Sequence, residues 1–292
     1  MIINNKNISI VIVSFKSEYV LENCLNSIDK NINIIIIDNS NDPKFKNKFE
    51  RNYKNVKCIL SKYNNGMGAG NNLGIKFVKT DYAFILNPDV VLKKNTIKEI
   101  IKAVKEIDSF AIMAPISDKK KYPNYNLFDH KDFNNKSPFK VKSVDGFALF
   151  LNIKRLKKIK NFYFFDENFF LYLENDDLCK RLLELKENIY IVPKAKITHL
   201  GGMAVNSVYK NEIEFSRNWH WMWSKFYYHK KHSGYFVALL KTIGSLFSSK
   251  VKFIYYLLIG KNFKKKIYYM RLLGLLNSMI GKKSYYRPNL DN

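Results

Sequence analysis

Acidic residues are scarce in this chain of 292 residues, with 25 Asp and Glu against 50 Lys and Arg and a formal net charge of +25. The shortage is uneven: after Glu214 the only acidic residue is Asp291, so much of the surplus lies in the C-terminal segment. Such a balance implies an anionic partner, whether nucleic acid, acidic lipid or a phosphorylated substrate, and does not choose among them. Cysteine is also sparse. Cys24, Cys58 and Cys179 are odd in number and lie within apolar runs, which points to buried free thiols in a reducing compartment. There is no C-x-x-C pair and no His/Cys cluster, so nothing suggests zinc. The N-terminus has no basic stretch leading into a long apolar core, and no apolar run approaches the ~20 residues that span a bilayer. The expectation is a cytoplasmic protein without signal peptide or membrane span.

What is present reads as α/β. With 47% hydrophobic residues the chain can bury a sizeable core, as one large domain with an appendage or as two domains. The stretch Tyr82 to Val90 organises the rest. Ala83 to Leu86 reads as a strand buried on both faces, and Pro88, which cannot donate a ladder hydrogen bond, should end it. Asn87 and Asp89 are thereby delivered past the carboxyl end of a central strand, the edge where open α/β sheets bind ligands. Upstream, Ile8 to Phe15, Ile34 to Ile37 and Val56 to Leu60 read as further strands. A helix follows Ser17, with Val20, Leu21, Cys24, Leu25 and Ile28 at helical spacing. Downstream come a helix over Thr96 to Ile107, a strand over Phe110 to Ala114 and a long polar loop over Asp118 to Pro138. Val144 to Leu151 regains strand character, interrupted at Asp145-Gly146. A helix starts near Glu174, and short strands follow at Ile189 to Val192 and Lys196 to His199. From about Asn206 the pattern is helical, aromatic and basic to the end. This alternation argues a mainly parallel, Rossmann-like sheet flanked by helices.

Several residues can carry chemistry. Asp89, with no basic residue before Lys93, can hold a divalent cation through oxygen, or can cap the following helix. Asp38 ends the second strand and can accept from a base or a ribose hydroxyl, or can sit as a solvated turn residue. Asn64 to Asn72 carries glycines at alternate positions and reads as a loop whose amides could face a diphosphate. It matches neither G-x-G-x-x-G nor a Walker loop. Asp166-Glu167 and Glu174-Asn175-Asp176-Asp177 bring carboxylates together beside an aromatic run, suiting a general base. The plainer alternatives are a helix N-terminus favoured by acids and an ordinary Asp177–Arg181 pair. His199, followed by Leu200-Gly201-Gly202, can complete a cation site with Asp89.

Taken in order, "ISIVIVSFKS", "IIIIDNSND", "NNGMGAGNNLGI", "FILNPDVVL", "VDGFALFLNIKRL", "FDENFFLYLENDDLCKRL" and "THLGG" resemble the family 2 glycosyltransferases. More narrowly they resemble the rhamnosyltransferase-like branch that builds bacterial surface polysaccharides. The resemblance spans about Ile8 to Arg217. It implies a GT-A fold, a nucleotide-sugar donor such as dTDP-rhamnose or a UDP-sugar, and an inverting, metal-dependent hexosyl transfer using Mg²⁺ or Mn²⁺. It implies that Ser14 and Asp38 hold the nucleoside and that Asn65, Gly66 and Asn71 lie near the donor. Asn87 and Asp89 occupy the D-x-D-like motif, with Asp89 the metal-binding acid and His199 a further ligand. The motif begins with Asn87 rather than Asp, and many relatives read Glu-Asp-x-Asp where this chain has Asn175. The base therefore stays open among Glu174, Asp176 and Asp177, with Asp177 the first choice. The domains expected are a catalytic unit over 1–205, with a nucleotide-sugar half to about 115 and an acceptor half from about 140, and a basic helical region over 206–292. Its acceptor is a saccharide, expected to be lipid-linked. The basic tail, with apolar runs at Val251–Ile259 and Ile267–Leu276 around Lys261 and Lys264 to Lys266, is expected on the anionic inner face of the membrane. Packing of those helices on protein, including a second subunit, is the competing reading. A nucleotidyltransferase is a rival, but Ser14-Phe-Lys-Ser17 is a poor early phosphate loop. A nucleic-acid binder would explain the charge but not carboxylates at strand ends, which repel phosphate.

Overall fold

The computed structural model describes residues 4–118, 123–129, 133, 135–201, 205, 207–288 and 290. Gly202, expected to help the chain turn beside His199, and parts of the loop expected over 118–138 lie outside the described residues. The chain forms two compact units, Met1–Asp166 with Asn175–Asn206, and Glu167–Glu174 with Ser207–Asn292.

The first unit is a mixed α/β sheet. Strands β1 (Ile8–Ser14), β2 (Asn33–Asp38), β3 (Val56–Leu60) and β4 (Tyr82–Leu86) pair in parallel in the order β3-β2-β1-β4. Every residue of β1 is buried, as its β-branched run requires of a strand covered on both faces. Ile10, Ile12 and Phe84 pack on one face with Leu21, Phe45 and Phe49 from α1 (Glu18–Asn26) and α2 (Pro43–Asn52). Val11, Val13 and Ile85 pack on the other. Asp42 starts α2 by accepting from Lys44 N at 2.8 Å, with Pro43 in the first helical position.

Beyond β4 the chain crosses to the far side of the sheet. β5 (Val90–Leu92) leads into α4 (Thr96–Glu106) and then β6 (Ile112–Ser117). Two short strands, β7 (Tyr125–Asn126) and β9 (Ser143–Val144), form a ribbon, and β8 (Phe139–Lys140) pairs with β11 (Ile189–His199). β10 (Ala148–Asn152) runs antiparallel between β4 and β6, and α5 (Ile153–Leu156) and α6 (Glu174–Glu184) precede β11. The order continues β4-β10-β6-β11-β5. β11 is one strand rather than the two expected: Pro193 falls in a register shift between Val192 and Lys196, and pairing with β6 resumes beyond it.

The glycine-rich stretch is not a loop. It forms the first turns of α3 (Gly66–Lys76), which begins with Gly66 at φ +84°. A Cβ on Gly70 would sit 2.8 Å from Val13 Cγ1, and one on Gly74 would overlap Val11 Cγ1. These glycines, four residues apart, let the helix backbone lie directly on β1. Close packing has overridden the low helix propensity of glycine.

The second unit contains α7 (Lys210–Ser233), α8 (Tyr235–Leu258) and α9 (Asn262–Met279). Phe215, Trp219 and Trp223 of α7 pack with Ile267 and Met270 of α9. The apolar run expected at a membrane over Ile267–Leu276 is thus largely internal. Lys266, though exposed, pairs with Glu212 at 3.4 Å from Oε1 and lies over the Phe215 ring. Gly274 lies against the Trp219 carbonyl, where a Cβ would collide with backbone. His220 is buried; its Nε2 pairs with the Tyr286 carbonyl at 2.9 Å and Nδ1 with Ser284 Oγ at 2.9 Å. The carbonyl only accepts, so Nε2 carries the proton and Nδ1 accepts from the hydroxyl. Burial pushes the imidazole down to about 3 from its ordinary 6.5.

The unfolded chain binds a proton at His220 more readily than the folded chain, so this residue's contribution is complete above about pH 6.5 and is lost as pH falls toward about 3. Thermal melts from pH 7 to 4 should therefore show a steeper acid loss in the parent than in His220→Gln. Equal slopes would remove His220 as the cause. In the same unit, Gly274→Ala should cost about 1–3 kcal/mol through overpacking. Gly244→Ala, which meets open space in α8, should gain up to about 1 kcal/mol, and chemical denaturation reads both.

Candidate donor and acceptor site

The parallel strands all end at one edge, and the polar residues gather there. Ser14 closes β1, Asp38 closes β2 directly opposite it, and Asn87 follows β4. Asp38 is buried rather than solvated. Its Oδ1 accepts from Ser40 N at 3.0 Å and its Oδ2 from Asp42 N at 2.8 Å, so it holds the turn. Burial raises its pKa, and these two amides pull it back. Asn39, which sequence reasoning passed over, donates from Nδ2 to the Gly66 carbonyl at 3.1 Å and from its backbone to the Ser14 carbonyl at 2.8 Å. It ties β1, β2 and the start of α3 together. Asn65 is the residue before α3 and makes no side-chain cap, its Nδ2 lying 3.5 Å from Ser61 Oγ.

Among the described residues of the first unit, five buried side-chain atoms have no hydrogen-bond partner: Ser14 Oγ, Asn39 Oδ1, Asn71 Oδ1, Asn87 Oδ1 and Asp89 Oδ1. Buried polar atoms are normally paired, so an unpaired set on neighbouring strand ends and the adjoining helix marks a place built to meet a polar ligand.

Asp89 does not cap a helix. Asn95 precedes α4, while Asp89 is almost wholly buried and its carbonyl accepts from Leu200 N at 3.1 Å. Pairing of β5 with β11 sets His199 opposite Val90, and His199 Nε2 lies 3.4 Å from Asp89 Oδ1. Phe147 stacks on the His199 ring at 4.1 Å, and its carbonyl accepts from Asn87 N at 2.9 Å. Cys24 lies beneath, its thiol pushed up to about 12 by burial and, to a lesser degree, by the Asp89 charge. Asp89 and His199 thus offer one oxygen and one nitrogen to a cation, with Asn87 two residues earlier. Among the described residues no group of three or more His, Cys, Asp or Glu could hold a metal.

Asp145, at the break between β9 and β10, is a second residue the sequence reading left unassigned. Burial raises its pKa, Asp176 raises it further, and His199 lowers it. Burial also raises Asp176, which Ser143 and Asn175 stabilise by hydrogen bonding. Asn175 is fixed by donating to the Val144 carbonyl at 2.8 Å, and Gly146 lies against its Cβ at a spacing only glycine permits with ease. The signal for Asp145 was a carboxylate inside an otherwise apolar strand run.

The three candidate bases are not equivalent. Asp177 has no exposed surface and accepts from Arg181 Nε at 2.8 Å, while Arg181 also donates to the carbonyls of Tyr163 and Phe164. That arrangement anchors α6 to the preceding segment and leaves the first-choice base poorly placed for a reacting hydroxyl. Glu174 is buried and counts with the second unit, where with Glu214 and Arg217 it surrounds Tyr172, whose phenol burial pushes up to about 12. Asp176 keeps company with Asp145 and, through it, with His199.

The sequence model of glycosyl transferase family 2 matches residues 9–175, more than half of the chain. Among solved structures, GalNAc-T7 with UDP, GalNAc and Mn²⁺ is similar with a TM-score of 0.57 at 14% identity, over 73% of this chain and 51% of that one. This chain therefore spans about half the length of that structure. Mannosyltransferase PcManGT from Pyrobaculum calidifontis, in complex with GDP-Man and Mn²⁺, gives 0.56 at 9% identity, over 95% and 88%. S. aureus TarS 1–349 gives 0.52 at 16%, over 96% and 93%. At such identities the likeness is one of fold, the GT-A architecture. No curated protein matches the chain.

Breaking a buried ion pair leaves an uncompensated charge, so Asp177→Asn should destabilise the protein by about 3 kcal/mol. Asp176→Asn should be near neutral. Urea denaturation of the two variants distinguishes an anchoring Asp177 from a reactive one.

Proposed function

The chain belongs to glycosyl transferase family 2, and on that premise we propose an inverting glycosyltransferase that moves a sugar from a nucleoside-diphosphate donor to a saccharide hydroxyl. The observation that carries the reading is the set of unpaired buried polar atoms along the strand ends, from Ser14 to Asp89. Ser14, Asp38 and Asn39 hold the nucleoside. Asn65, Gly66 and Asn71 approach the donor from the start of α3, and Asn87 and Asp89 face its diphosphate.

The orphaned oxygens of Asn87 and Asp89, with His199 Nε2 3.4 Å from the carboxylate, fit a divalent cation completed by diphosphate oxygens. Asp89 and His199 would hold Mg²⁺ or Mn²⁺ there, and the ion would supply positive charge against the departing diphosphate. Phe147, stacked on the imidazole, keeps His199 oriented toward Asp89 and shields that side from water. Asp176 takes the proton of the acceptor hydroxyl as its oxygen attacks the anomeric carbon and the bond to the diphosphate breaks. Burial keeps the proton affinity of Asp176 high, and the charge of Asp176 in turn raises that of Asp145 nearby. Asn175 cannot accept that proton, which is why the duty falls on a neighbour; Asp177 is held by Arg181 and Glu174 counts with the other unit.

The donor sugar is rhamnose, from dTDP-rhamnose, with a UDP-sugar as the alternative, and the acceptor is a lipid-linked saccharide in surface polysaccharide assembly. The ordered motifs support this narrower reading. No helix among the described residues is long and apolar enough to cross a membrane, and the reading places the enzyme at the inner membrane face.

A thermal-shift panel of nucleoside diphosphates and their sugars, with and without Mn²⁺, should give one donor whose stabilisation needs the cation. Asp89→Ala should remove that cation dependence and nearly abolish release of nucleoside diphosphate in the presence of acceptor. Full turnover in excess chelator would sink the metal role. Asp176→Asn should lower the transfer rate by about 10²-fold with donor affinity unchanged. Release of pyrophosphate instead would indicate nucleotidyl transfer.

A further inference from the structure

Helix α8 is inside out. Its fully buried side chains are small or polar, Ala238, Thr242 and Ser249, with Leu239 and Leu246 half-buried against Met222, Phe226 and Leu275, while most of its other large apolar side chains face outward. Phe236, Leu240, Phe247, Val251 and Leu258 are 61–80% exposed, and Ile243 and Ile254 complete the series. Successive members are three or four residues apart, which at about 3.6 residues per turn confines them to roughly 80° of arc. The result is a continuous apolar ridge along a 24-residue helix. Soluble proteins rarely leave such a patch uncovered.

Charge identifies what covers it. Lys241 and Lys252 flank the ridge on one side and Lys250 on the other, and α8 has no acidic residue. Lys261 and Lys264 lie exposed just beyond its C-terminal end. A second copy laid ridge to ridge would set lysines against lysines with no carboxylate to pair them. An anionic surface has the opposite charge. Beside the ridge, α8 and α9 also enclose a polar cleft of about 280 Å³, lined by Ser245, Ser248, Ser249, Lys252, Tyr268 and Arg271. Within it, Arg271 Nε is buried with no hydrogen-bond partner among the described residues, and Arg271 Nη1 reaches Asn218 Oδ1 at 3.2 Å. Two cations, one with an unused donor, and four hydroxyls suit a phosphate group.

We propose that the α8–α9 hairpin docks in the plane of an anionic phospholipid bilayer, with the α8 ridge in the acyl boundary and the serine-, lysine- and arginine-lined cleft on a lipid phosphate. The helix lies on the membrane rather than spanning it, in keeping with its lysines and its lack of a long apolar run. The inference stands on the second unit alone and does not depend on the reaction proposed for the first.

Co-sedimentation of the full chain with phosphatidylcholine vesicles, with and without phosphatidylglycerol, tests it. Binding should require the anionic lipid, weaken with salt, and fall at least ~10-fold in the double variant Leu240→Glu, Phe247→Glu. Both sites are exposed, so circular dichroism and melting temperature should not change. Lys252→Glu should weaken binding with the ridge intact, which a purely apolar contact would not show. Equal binding to both vesicles, no binding to either, or wild-type binding by the double variant would overturn the proposal. So would lipid-free self-association in analytical ultracentrifugation that the double variant abolishes, because the ridge would then meet a second copy.

Discussion

A carboxylate taken out of water needs a partner, and among the described residues Asp89 has the imidazole of His199 near its Oδ1, at 3.4 Å. The arrangement around it follows from Pro88. The proline ends β4, the chain turns, and β5 pairs with β11 at the opposite side of the sheet. That pairing sets His199 across from Val90 and brings Phe147 onto the imidazole. The same register leaves Asp145 and Asp176 within electrostatic reach of one another and His199 within reach of Asp145. One buried negative charge thus draws together a strand end, an edge pair, a loop and the first turn of a helix.

The sheet was legible in the sequence because its strands are short runs of buried β-branched residues with no rival helical period. Val56–Leu60 is found at the expected bounds, and β1, β2 and β4 within a residue or so. Glycine misled. Alternating glycines normally signal a loop, yet Gly70 and Gly74 serve an α3 backbone laid on Val11 and Val13, a tertiary demand that no local preference encodes. Pro193 misled in the same way, since β11 passes through it by shifting register. At the site, the strand-end positions of Ser14, Asp38 and Asn87 could be read from pattern alone. The engagement of Asp177 by Arg181, and the emergence of Asp145 beside Asp176, depend on how α6 meets the β9–β10 break. Pairwise packing of that kind leaves little trace in one sequence.

The helical unit keeps two kinds of surface apart. Its interior is aromatic and exact: Trp219, Trp223 and His220 are buried, and His220 spends both ring nitrogens on Tyr286 and Ser284. The segment Glu167–Glu174 joins that interior, with Phe169 edge-on to Tyr227 at 4.9 Å and Phe170 beneath the Arg287 guanidinium at 3.8 Å. Tyr172 and Leu173, just before α6, take left-handed backbone at φ +70° and +65°, a conformation that bulky side chains disfavour. Tertiary packing holds them there, since nothing in the local sequence would.

Strand order and chain order disagree in the first unit, and this bears on how the protein is made. β4 and β6 do not touch; β10, synthesised after both, fits between them, and β11 then joins β6 to β5. A nascent chain that has emerged only as far as β6 carries three strands with open edges at once, β4, β5 and β6. Such edges are templates for pairing with other chains. Until His199 leaves the ribosome the sheet cannot close, so the vulnerable interval runs from the synthesis of β6 to that of β11.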